Sequence, residues 1–129
     1  MKLDRLRDPA YTALRIGAGA MFSLHGMQKL FGVLTTHAKP PIGSQVWIGG
    51  IIELVCGVLV AVGFFTRPAA FLASGTMAVA YTQFHWKGAF TGWRFLPVVN
   101  QGELALLYAL VFLVIFTQGP GRAALDRRR

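Results

Sequence analysis

The chain has 129 residues, 54% of them hydrophobic and 14% charged, whereas a typical soluble domain is roughly 45–50% apolar and about 25% charged. That balance argues against an ordinary soluble enzyme, and the length excludes separate cofactor and substrate domains. Thirteen Lys and Arg against five Asp and Glu give a net charge of +8, but the cations stand at the termini and between apolar runs, which marks the flanks of membrane segments and argues against nucleic acid.

A helix needs about 20 largely apolar residues to cross a hydrocarbon core about 30 Å thick. Four runs qualify, at residues 11–31, 46–65, 69–84 and 97–117. The third is short and borrows Thr66, Arg67 and Pro68 at one end and His85 and Trp86 at the other. The first continues well past the small residues Ala18-Gly19-Ala20, which reads as an uncleaved span and not as a signal peptide. The expected fold is an all-α membrane protein, a four-helix transmembrane bundle forming a single domain over residues 1–129.

Four spans put both termini on one side. Lys2, Arg5, Arg7, Arg67, Arg122 and Arg127 to Arg129 fall on that side, against Lys39, Lys87 and Arg94 on the other. By the positive-inside rule both termini are cytoplasmic and the chain sits in the cytoplasmic, or inner, membrane. The linker Thr66-Arg67-Pro68 makes spans two and three antiparallel neighbours. Trp47, Trp86 and Trp93 lie on the outer connections, where amphipathic rings suit an interfacial belt. The single cysteine, Cys56, excludes an intrachain disulfide and a cysteine-clustered metal site.

Small residues recur at four-residue spacing: Ala13 and Gly17 in span one, Gly49 and Gly57 around Glu53 in span two, and Ala70, Ser74 and Ala78 in span three. Such stripes predict close helix approach in lipid. An internal repeat is also legible. His25 and Lys29 end span one as His85 and Lys87 end span three, and Glu53 in span two parallels Glu103 in span four.

Ionisable residues inside spans cost about 2.5–3.5 kcal/mol on insertion scales and default to function. Arg15 is placed about 6 Å from the inner end of its span and is expected to snorkel to the surface. The others share a depth about 9–10 Å below the outer surface. His25, Gln28 and Lys29 lie on one helix face, and Glu53 and Glu103 lie at the same level on two other spans. Opposite charges within about 4–6 Å keep each other ionised. The expected contacts are a Lys29 to Glu53 ion pair, with Glu103 against His25, Gln28 or His85. One reading of this layer is a register lock for the bundle; the other is an outward-opening polar pocket that donates hydrogen bonds and moves protons. No metal-ligand spacing, phosphate loop or dinucleotide fingerprint is present, so no metal and no intrinsic cofactor is expected.

The ordered set Leu24-His25-Gly26-Met27-Gln28-Lys29-Leu30-Phe31-Gly32, Glu53 with Gly57, Gly63-Phe64-Phe65-Thr66-Arg67-Pro68-Ala69-Ala70 and Asn100-Gln101-Gly102-Glu103-Leu104 resembles the DoxX family of small four-span bacterial membrane proteins. The resemblance runs from about Leu14 to Asp126. It departs at Gly119 to Asp126, which carries Ala where the family tends to have an aromatic and a serine, so it assigns that segment no role. The family is similar to the quinone-linked membrane subunit of thiosulfate oxidation, and members are often labelled oxidoreductases. The resemblance thus implies quinone-dependent oxidoreduction, or detoxification of oxidants and quinones.

On that basis Glu53, Glu103 and His25 are the candidate catalytic, proton-moving residues. Gln28, Lys29, His85 and Asn100 are the candidate substrate-binding residues, with a quinone as substrate. A redox partner protein would supply electrons, within a lipid bilayer and with self-association open. The alternative is a non-catalytic scaffold that recruits soluble partners through its basic tail, its polar cluster purely structural. A small-solute transporter is a weaker third option.

Overall fold

The computed structural model describes residues 3–126. Lys2 and Arg127 to Arg129, which contribute to the charge asymmetry, lie outside the described residues. After a single 3-10 turn at Leu3–Leu6, α1 runs over Arg7–Phe31, α2 over Gln45–Val62 and α3 over Thr66–Ala80, continued by a π-helical turn at Tyr81–Trp86. A short α4 at Pro97–Asn100 precedes α5 at Glu103–Gln118. Among the described residues all regular structure is helical.

Local chemistry sets the boundaries. Pro9 and Pro68 occupy first turns, where a missing N–H costs little. Ser44 caps α2, its hydroxyl accepting from the Trp47 N–H at 3.2 Å, as N-cap hydroxyls do. Gly63 ends α2 in the left-handed region, with φ 71°. A side chain there would also collide with Ala124.

The pairs α1 with α2 and α3 with α5 make the main contacts, and α2 packs on α3 to join them. The α1–α2 contact is made by glycine. A Cβ on Gly19 would come within 2.6 Å of the Gly57 carbonyl oxygen, and one on Gly26 within 2.6 Å of the Gly50 carbonyl oxygen. These glycines repeat every seven residues on both helices, the period that keeps two helices in continuous contact. This corrects the expected stripe in part: Gly57 makes the contact, but a Cβ on Gly17 or Gly49 would meet nothing. In α3, Ala70 and Ala73 are fully buried and Ser74 donates to the Ala109 carbonyl at 2.7 Å, but Ala78 is exposed. Phe22 of α1 reaches across to α5, its ring centroid 4.7 Å from that of Phe112.

Outside this core the surface is strongly apolar. Ile48, Val55 and Val58 on α2, and Leu104, Leu107 and Leu110 on α5, are all exposed. A soluble monomer rarely exposes so continuous an apolar belt. By length and composition α2 alone among the described helices is able to cross a membrane, with 18 residues and a mean hydropathy of 2.1; α5 is apolar but shorter.

Candidate functional site

Glu53 lies in the middle of α2 and faces α1, where Lys29 sits in the last turn of its helix. The Lys29 ammonium and Glu53 Oε1 are 2.5 Å apart. The Glu53 side chain is 3% exposed and the Lys29 side chain 33%, so the pair runs from the interior toward the surface. The second carboxylate oxygen, Oε2, is buried without a hydrogen-bond partner among the described residues. Such an atom is costly unless something satisfies it.

Both residues line a groove of about 630 Å³ between α2 and α3. Its walls are largely apolar, including Ile52, Phe71, Met77 and Phe84, and His85 is the remaining titratable residue on its lining. His85 belongs to the π-helical turn, in which the Lys87 N–H donates to the Thr82 carbonyl five residues back. Single π turns often occur at functional sites, and this one begins at the end of α3, where the groove reaches His85. His25 does not line the groove. Its ring meets the edge of Tyr108, with centroids 6.0 Å apart and planes at 87°.

The remaining expected members of the layer are elsewhere. Gln28 donates to the Leu34 carbonyl at 2.8 Å, holding the chain as it leaves α1. Asn100 donates to the Tyr81 hydroxyl and the Arg94 carbonyl and accepts from the Gly102 N–H, which makes it a loop organiser. Glu103 is exposed, and no hydrogen bond or ion pair joins it to His25, Gln28 or His85 among the described residues. The cause is a break in the fourth apolar run. Gln101 adopts φ 60°, and Gly102 packs so closely on the Tyr81 ring that a Cβ would fall 2.7 Å from it. α5 therefore starts at Glu103, leaving the carboxylate in an exposed first turn, where the N-terminal helix dipole suits it.

A second polar network, not among the expected contacts, lies at the opposite end of the helices. Arg15 is fully buried and does not snorkel as expected. Its guanidinium donates to the carbonyls of Val60 and Ala61, which end α2, at 2.8 and 2.7 Å, and to those of Arg122 and Ala123 at 3.1 and 2.7 Å. Asp126 then caps α3: its carboxylate accepts from the Phe65 and Thr66 N–H groups at 2.9 and 2.8 Å and from the Thr66 hydroxyl at 2.7 Å. Arg67 donates to the carbonyls of Phe116 and Thr117 at the end of α5. The segment after Gly119 is thus a strap across the helix ends, although the resemblance assigned it no role.

Partial burial pushes the Asp126 carboxyl up, but the hydrogen bonds from Thr66 and Phe65 and the Arg15 charge outweigh it and hold the group below its usual value of 3.8. A carboxyl lowered by folding stabilises the fold above its unfolded value and loses that contribution as the pH falls through the folded one. The strap is therefore expected to be intact at neutral pH and to loosen below about pH 4. Asp126→Asn keeps the shape and is expected to lower thermal stability at pH 7 and flatten its acid dependence. Melting curves from pH 3 to 7 check this, and an acid limb of wild-type steepness in the variant counts against the assignment.

With this geometry established, comparison with known proteins fixes the lineage. The sequence model of the DoxX family matches residues 10–86. The chain belongs to the DoxX family. A Haemophilus influenzae relative described as an uncharacterized protein is 40% identical, the alignment covering 98% of this chain and 95% of that one. An uncharacterized membrane protein of Mycobacterium tuberculosis is 30% identical over 93% of this chain and 81% of its own length. The Escherichia coli inner membrane protein YphA is 27% identical over 88% and 86%. No solved structure matches the chain. The names of the Mycobacterium tuberculosis and Escherichia coli relatives and the apolar belt agree, and this DoxX protein is a membrane protein.

Proposed function

We propose that this DoxX protein crosses the inner membrane four times with both termini in the cytoplasm, and that the α2–α3 groove takes a quinone, or its reduced hydroquinone, from the lipid. The observation that carries the reading is Glu53, a buried carboxylate beside an apolar groove with one oxygen unpartnered. Apolar walls with a few convergent polar groups are the usual form of a small-molecule site. A groove opening between helices admits a lipid-soluble ring without passage through water.

The residues divide the work by donor and acceptor capacity. Lys29, with three N–H donors, donates one to Glu53 and can offer another to a carbonyl oxygen. Glu53 accepts from a ring hydroxyl through Oε2 and is the group placed to take its proton. His85, on the same lining, offers a second position for a proton. Two-electron oxidation or reduction of the ring is the chemistry the ligand itself supplies. Electron exchange falls to a partner protein, which accepts two electrons when the hydroquinone is oxidised and supplies them when the quinone is reduced, because the sequence has one cysteine and no metal-ligand motif. His25, Gln28, Asn100 and Glu103 take no part in this reading.

The test is equilibrium binding of a short-chain hydroquinone and its oxidised form to purified protein in nanodiscs. Glu53→Gln is expected to weaken the hydroquinone about tenfold, because the carboxylate acceptor becomes a neutral amide, and to affect the oxidised form less. Equal affinities for wild type and variant, with a lowered melting temperature in the variant, would instead make the pair a register lock.

A further inference from the structure

Lys29 belongs to two cavities. Besides the groove it lines a cleft of about 540 Å³ on the other side of α2, formed with the connection from α1 to α2 and lined also by Lys39, Pro40, Ile42, Trp47 and Phe31. None of the cleft's lining residues is acidic. Lys29 is compensated from within by Glu53, but Lys39 makes no ion pair among the described residues. The cleft therefore carries one uncompensated positive charge.

The position of Lys39 is built into the fold. α1 ends at Gly32 with φ 66°, and the Lys39 stem lies over that glycine, where a Cβ would come 3.1 Å from Lys39 Cγ. The stem packs over the Gly32 backbone, and Lys39 is exposed on the lining of the cleft. Trp47 also lines the cleft, in the first turn of α2, where its backbone N–H donates to the Ser44 hydroxyl.

We propose that this cleft is a binding site for a small organic carboxylate with an apolar body, its carboxylate held between Lys29 and Lys39 and its body against Trp47 and the prolines. A single negative charge completes the local balance of two ammoniums and one buried carboxylate. The apolar walls favour an organic acid over a compact, strongly hydrated anion. Glu53 competes with the incoming carboxylate for Lys29, so the groove and the cleft are coupled through one ammonium. This goes beyond the groove reading and is independent of it.

The competition gives two substitutions opposite signs. Titration of benzoate into purified detergent-solubilised protein is expected to show saturable binding. Lys39→Gln weakens it about tenfold through loss of a charge-assisted contact, and Glu53→Gln tightens it about threefold by freeing Lys29. Inorganic phosphate binds more weakly than benzoate. Hydroquinone binding in the groove is unchanged by Lys39→Gln. Absence of saturable benzoate binding, insensitivity to Lys39→Gln, or tighter binding of phosphate each overturns the proposal. If Glu53→Gln melts too low to titrate, Lys39→Gln decides the question alone, because Lys39 lies on the outer connection and holds no helix together. Hydroquinone bound without benzoate defeats this inference only; benzoate bound without hydroquinone defeats the groove reading only.

Discussion

Replacing Arg15 with alanine is expected to lower the melting temperature by about 10–20 °C, the shift that a loss of about 3–5 kcal/mol produces in a chain of this size. The guanidinium is fully buried and bonds four carbonyls, two at the end of α2 and two in the strap. Without it those oxygens lose their donors in a place water reaches poorly, at about 1–3 kcal/mol for each that stays unsatisfied. The strap also loses the link that brings Asp126 to the start of α3, so the damage spreads to a second helix. Arg15→Lys should recover only part of the loss, because an ammonium on a flexible stem does not span two pairs of carbonyls as a planar fork does. Melting curves of both variants in one detergent check the order wild type, lysine, alanine. An alanine variant that melts with the wild type would mean the four bonds hold nothing.

Arg15 also shows where reading the sequence stops. Its distance from the span's inner end was legible, and from distance alone snorkelling was the inexpensive outcome. What it bonds depends on a strap more than 100 residues later in the chain, and no local pattern reports that. Asp126 has the same history, standing before a basic tail with its partners about 60 residues upstream. One signal was available: α3 begins after Phe65, which offers no capping side chain, so the helix start needed an acceptor from elsewhere. The Lys29 to Glu53 pair was legible because helical spacing and charge pairing both act at short range. The place of Glu103 was missed although Asn100-Gln101-Gly102-Glu103 interrupts the fourth run: treating residues 97–117 as one span hides the turn at Gln101, which makes Glu103 the first residue of α5. The seven-residue spacing of Gly19 with Gly26 and of Gly50 with Gly57 was present in the sequence, but the four-residue motif caught only Gly57 of these and drew attention to Gly17 and Gly49, which face open space.

Gly26→Ala, like Gly19→Ala, is expected to do far more harm than a methyl added at Gly17. The new Cβ would lie within 2.6 Å of the Gly50 carbonyl oxygen and closer still to the Leu54 backbone nitrogen. Both obstacles are main chain, so no rotamer change relieves them, and α1 and α2 must separate locally. Overpacking of this kind costs about 1–3 kcal/mol or more. Gly26 lies one turn before Lys29, so the separation also draws the ammonium from Glu53, and ligand binding in the groove should fall along with stability. Gly17→Ala is the control on the same helix. A Cβ there meets nothing, and replacing a mid-helix glycine with alanine should be neutral or stabilising by up to about 1 kcal/mol. Melting temperature and hydroquinone affinity measured on both variants separate the two glycines. If Gly26→Ala kept wild-type affinity and stability, the contact between the α1 and α2 backbones would not be what places Lys29 on Glu53.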